Sequence, residues 1–70
     1  MNCSLAAEIA IGDAMSVCYL DGNSNCSVRL VRWIEMGGTC SQNNDYCHAE
    51  AIAVPYFVET QYIGNSKNAP

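Results

Sequence analysis

The sequence predicts an all-α fold: a small, disulfide-stapled antiparallel helical hairpin followed by one or two short C-terminal helices. Three observations carry this expectation. Two runs of similar length, CSLAAEIAIGDAMSVC from Cys3 to Cys18 and CSVRLVRWIEMGGTC from Cys26 to Cys40, each begin and end on cysteine. Both place apolar residues at helical spacing. Between them, DGNSN at 21–25 is dense in turn-forming residues.

In the first run Ser4 is the expected N-cap of a helix from Leu5 to Leu20. The run holds no proline, and its one glycine, Gly12, costs about 1 kcal/mol relative to alanine. Residues placed about 100° apart put Ala6, Ala7, Ala10, Ile11, Ala14, Met15, Val17 and Cys18 on one broad face, opposite Glu8, Gly12 and Ser16. Ala6, Ala10 and Ala14 recur every fourth residue, a ridge of small side chains that lets a second helix approach closely. Leu5, Ile9 and Leu20 form a further apolar stripe, more than one neighbouring helix covers.

The second helix is expected to start at an Asn25 or Ser27 cap, run to Met36 and stop at Gly37-Gly38. Leu30, Val31, Trp33 and Ile34 make its apolar face, with Arg29, Arg32 and Glu35 turned away. After the polar loop TCSQNND, Asp45 is placed to cap a short third helix, YCHAEAIAV, which Pro55 ends. PYFVETQYIG reads as a fourth short helix with Pro55 at its first position. Its aromatic and β-branched content leaves a strand over 56–63 as the alternative, and a lone strand in a helical chain pairs with another copy or a partner. Residues 1–64 are expected to form one small helical domain and 65–70 a flexible tail.

Half of the 70 residues are apolar and only 14% are charged, which places the chain among folded proteins. A core of this size rarely supplies more than roughly 3–5 kcal/mol without a staple, a metal or a partner. The net charge is −4, and Arg29, Arg32 and Lys67 are the only lysines and arginines. Nucleic acid is thereby excluded as an expected partner, because phosphate binding needs clustered basic residues. No membrane span is expected, since Glu8 and Asp13 interrupt the first apolar segment and Arg29, Arg32 and Glu35 the second. MNCSLAAEIAIGD lacks the basic and uninterrupted apolar regions of a secretory signal. The chain is then either cytoplasmic or a mature domain freed of its signal, and five cysteines in so short a chain favour the secreted, extracellular alternative.

The cysteines that bracket each run lie ~21–22 Å apart along a helix, whereas disulfide Cα atoms lie within about 7 Å. In an antiparallel hairpin, however, Cys18 meets Cys26 at the turn and Cys3 meets Cys40 at the open end. Cys47 is left unpaired or intermolecular. A rival arrangement joins Cys40 to Cys47 and leaves Cys3 over; in a third, all five are reduced and fill a cytoplasmic core.

Cys40, Cys47, His48 and Glu50 are metal-ligand types, but their spacing matches no familiar zinc or haem pattern, so no metal and no cofactor are expected. Adjacent helical residues diverge by about 100°, which prevents His48 from activating Cys47. Glu8 and Asp13 also diverge too far around a helix to act as an acid/base pair. Arg29 and Trp33, one helical turn apart and joined by Arg32, form the candidate partner-binding spot. The plainer reading puts Trp33 in the core and the arginines in solvent, paired with Glu35. Asn2-Cys3-Ser4 and Asn25-Cys26-Ser27 match the glycosylation sequon, although helix capping explains both asparagines equally well.

The function expected from these features is non-enzymatic: a secreted, disulfide-stabilised helical protein that binds a protein partner as a ligand, effector or toxin-like molecule. The alternative is a structural subunit that self-associates, as a homodimer, higher oligomer or filament, through Cys47, the Leu5/Ile9/Leu20 stripe or PYFVETQYIG. A small metal-binding protein is the second alternative.

Overall fold

The computed structural model describes residues 3–34, 48–56 and 58–68. Among the described residues one helix, α1 (Cys3–Leu20), is followed by three strands, β1 (Cys26–Ile34), β2 (His48–Pro55) and β3 (Tyr62–Asn65), and by a 3-10 turn over Ser66–Asn68. The strands form one antiparallel sheet in the order β1-β2-β3. The all-α expectation is therefore wrong: the protein is a mixed α/β structure, a helix layered on a three-stranded antiparallel sheet.

α1 occupies the residues expected of the first helix and begins at Cys3. Its ridge of Ala6, Ala10 and Ala14, continued by Cys18, is fully buried. What lies against that ridge is β2, whose Ala49, Ala51 and Ala53 are also fully buried. In β3, a Cβ added to Gly64 would sit 2.1 Å from the Ala14 nitrogen and 2.3 Å from the Ala10 carbonyl oxygen. Backbone meets backbone there, so glycine is required by the approach of the two layers. Ile11, Met15, Val31 and Tyr62 pack around this small-residue centre.

The second expected helix is β1, and the physical reason lies in its β-branched content and its partner. Val28, Val31 and Ile34 favour an extended backbone, and β2 supplies the pairing. The third expected helix is β2. Alanine's helix propensity argues for a helix there, yet the buried residues alternate strictly with half-buried ones along His48–Pro55. That period of two is the mark of a strand with one covered face. Of the fourth expected helix, residues 58–61 are irregular chain and are followed by β3, which pairs with β2 of the same molecule. Since β2 is itself a strand, the premise that a C-terminal strand lacks an internal partner falls.

The domain boundary drawn at 64/65 falls inside β3. Ser66 is buried, and its hydroxyl accepts the Ala49 backbone N–H at 2.9 Å. Asp13 on α1 reaches the other layer through its carboxylate, which accepts the Asn65 backbone N–H at 2.9 Å. These two bonds pin the end of β3 to the helix and the central strand.

Candidate functional site

The chain leaves α1 through Gly22, whose φ of 94° suits a residue without a Cβ. The turn is then fixed from three sides. Cys18 and Cys26 form a disulfide across a separation of 8 residues, with Cα atoms 6.2 Å apart. The Asn23 side-chain amide donates to the Cys18 carbonyl at 2.9 Å and to the Tyr62 hydroxyl at 3.1 Å. Tyr62 in turn donates to the Asp21 carboxylate. That bond to Asp21 is the main reason the Tyr62 phenol is held above its ordinary pKa. The hairpin of helices that suggested this disulfide is absent; the cysteine pair instead ties the end of a helix to the start of a strand.

Cross-strand register sorts the sheet's side chains by face. Ala49, Ala51 and Ala53 point to α1, so Glu50, Ile52 and Val54 lie on the outer face. Leu30 of β1 and Ile63 of β3 pair on either side of Ile52, which makes an apolar row across all three strands. Leu30 is 47% and Ile63 56% exposed. The adjacent row is polar, Arg32 opposite Glu50 opposite Asn65. Arg32 Nε donates to Glu50 Oε1 at 2.9 Å, and its Nη2 contacts the same oxygen. No described element covers this outer face, because α1 lies on the other one.

The expected partner-binding residues are distributed over this sheet. Arg32 borders the apolar row and pairs with Glu50; the expected pairing with Glu35 lies outside the described residues. Trp33 pairs opposite Ala49 and so belongs to the helix side, where it is 49% exposed. Arg29 occupies a register shift between Val28 and Leu30, a bulge in which one residue of β1 lacks a counterpart on β2. The one-turn spacing that set Arg29 over Trp33 is a property of a helix, and β1 is a strand. Arg32 and Trp33, neighbours in sequence, face opposite sides of the sheet.

The expected Cys3–Cys40 disulfide, the rival Cys40–Cys47 disulfide and the odd thiol at Cys47 lie outside the described residues, as does Asn2 of the first sequon. Nothing is described of the Cys3 side chain. Asn25 of the second sequon is exposed beside the bonded Cys26. His48 and Glu50 share the outer side of β2, and among the described residues no three His, Cys, Asp or Glu side chains gather into a metal site. Among the described residues no helix is long and apolar enough to cross a membrane.

A second concave region lies where α1, β1 and the end of β2 meet. A cavity of about 340 Å³ is lined by Tyr19, Asn25, Cys26, Ser27 and Tyr56. Tyr56 also walls a neighbouring hollow of about 290 Å³ with Arg29, Val54, Pro55, Val58 and Glu59. Sequence reasoning missed both the apolar row and this cavity, because each joins residues distant in the chain. No family model matches this chain, nor does any curated protein or solved structure.

Proposed function

We propose that this chain is a secreted, disulfide-stabilised binding module that holds a protein partner on the outer face of its sheet. The observation that carries this reading is the row Leu30, Ile52 and Ile63, an apolar centre on the outer face beside the Arg32–Glu50 pair. An apolar centre with a polar rim is the anatomy of protein interfaces, and a contiguous exposed apolar patch marks an interaction site. The Cys18–Cys26 disulfide supports an oxidising compartment, where such bonds persist.

A photo-crosslinking residue placed at Ile63, with the same residue at Glu8 on the helix as the control, tests the reading in the cells that make the protein. The expected result is a covalent adduct of a different protein from the Ile63 site and none from the Glu8 site. Equal adducts from both sites, or none from either, would overturn it.

One observation favours the self-associating subunit as a second reading. α1 exposes Leu5, Val17 and Leu20 on the layer opposite the sheet's apolar row, and Leu20 is 86% exposed. Two different apolar faces on opposite sides of one small body join head to tail, and such contacts produce open-ended assemblies unless a ring closes. In that case the Ile63 adduct has a multiple of the chain's own mass, and the sedimentation coefficient rises continuously with concentration.

A further inference from the structure

Apart from the sheet face, the cavity beside the disulfide has the make-up of a ligand site. Its volume of about 340 Å³ falls in the range of roughly 300–1,000 Å³ typical of small-ligand clefts. Tyr19 and Tyr56 supply aromatic surface and are 46% and 74% exposed. The remaining lining is neutral and polar: Asn25, Ser27 and the bonded Cys26.

We propose that this cleft docks a proline-rich peptide in the polyproline II conformation. Aromatic-lined grooves are the recurrent receptors for that conformation, which enters already extended and so loses little conformational entropy on binding. The polar lining suits it as well. A prolyl peptide has carbonyl oxygens and no backbone N–H to satisfy, and the cleft offers it donors in the Asn25 amide and the Ser27 hydroxyl. Among the described residues no acidic or basic side chain lines the cleft itself, where a neutral ligand fits better than an ionic one; Arg29 and Glu59 stand in the neighbouring hollow.

Shape points the same way. Tyr56 lines both the cleft and the neighbouring hollow formed with Arg29, Val54, Pro55, Val58 and Glu59. Hollows that share one exposed aromatic side chain suit a ligand that presents a ring to the same side every three residues. The walls are also held in place before any ligand arrives. Tyr56 donates its backbone N–H to the Asn25 carbonyl at 2.8 Å, and the Cys18–Cys26 disulfide fixes the floor. Cys26 N–H reaches the Tyr19 hydroxyl at 3.4 Å. Preorganisation of this kind lowers the cost of ordering a site on binding. The proposal is independent of the sheet-face reading, since the cleft and the apolar row share no residue.

The test is an amide-resonance titration of the oxidised full chain with an acetylated, amidated decaproline. A Gly-Ser decapeptide and a neutral N-acetylglucosamine oligomer serve as comparison probes. Saturable shifts are expected at Asn25, Ser27 and Tyr56 with decaproline alone. Tyr56→Ala is expected to weaken binding at least about tenfold, because an exposed aromatic anchor is removed from the contact. Glu8→Gln, on the exposed side of α1, is expected to leave it unchanged. Absence of saturable shifts at millimolar decaproline would overturn the proposal. So would shifts that persist in Tyr56→Ala, shifts of equal size with Gly-Ser, or a response to the oligosaccharide only.

Discussion

On its inner face the sheet offers the helix Ala49, Ala51 and Ala53 from β2 and Gly64 from β3, while the outer face of the same two strands carries Glu50, Ile52 and Ile63. Small side chains fill the centre of the inner face, with Val31 and Tyr62 packed around them, while larger apolar ones stand outside, the reverse of what a fold optimised for volume of core would show. The difference teaches that the inner face is built for closeness. Layers that touch backbone to backbone forgo large buried side chains: among the described residues, the largest that are fully buried are Cys18 and Ser66. At about 0.8 kcal/mol per buried methyl, the six buried alanines contribute roughly 5 kcal/mol before any cost of ordering. The outer face contributes little to that core and is free to serve recognition.

The most severe way to break this contrast is Gly64→Ala. Its new methyl would overlap the backbone of Ala10 and Ala14, so the layers must separate. A loss above about 3 kcal/mol, or failure to fold, is expected in urea denaturation. Retention of wild-type stability would show that the layer spacing is not set at this residue.

Next in size is the Cys18→Ser/Cys26→Ser double variant, which removes the covalent tie between helix and inner layer. For a closed loop this short, the chain-entropy relation gives a loss of roughly 2.5 kcal/mol, read from the denaturation midpoint under otherwise identical conditions.

Neighbouring positions on β2 and β3 sharpen the comparison further. Ala51→Leu overpacks the inner face and is expected to cost about 1–3 kcal/mol. On the outer face, Ile63→Thr keeps a β-branched residue on β3 and is expected to change stability by no more than about 0.5 kcal/mol. If Ile63→Thr were as damaging as Ala51→Leu, the outer row would be structural and the binding proposal would lose its basis.

The smallest effect concerns pH. The bond to Asp21 raises the Tyr62 phenol above 10.0, so the folded chain holds that proton more tightly than the unfolded chain. Its contribution is complete below the ordinary phenol value and is lost as pH rises through the raised one. Thermal unfolding of wild type and Tyr62→Phe should therefore diverge at neutral pH and converge above pH 10.

Part of this was legible in the sequence. The extent of α1 and its alanine ridge followed from spacing, and the partnership of Cys18 with Cys26 followed from the turn between them. The strands were misread for a physical reason. Leu30, Val31, Trp33 and Ile34 fit a helical stripe as well as they fit a strand, and cross-strand pairing decided the outcome. In HAEAIAVP, alanine at 49, 51 and 53 carried a helix propensity that obscured its own period of two, although Ile52 and Val54 between them were β-branched signals. Arg32 was identified as a surface candidate, but the row it borders was hidden because Leu30, Ile52 and Ile63 become neighbours only through register.

The alanine interface also shapes how this protein responds to heat and cold. Unfolding exposes little newly hydrated apolar surface from the described core, and hydration of such surface is the source of the heat-capacity increment. The increment should fall below the ordinary 12–15 cal/mol/K per residue, roughly, and the urea slope should fall with it. The stability curve is then broad and shallow, so the folded population changes gently over a wide range of temperature, with cold unfolding displaced to lower temperature.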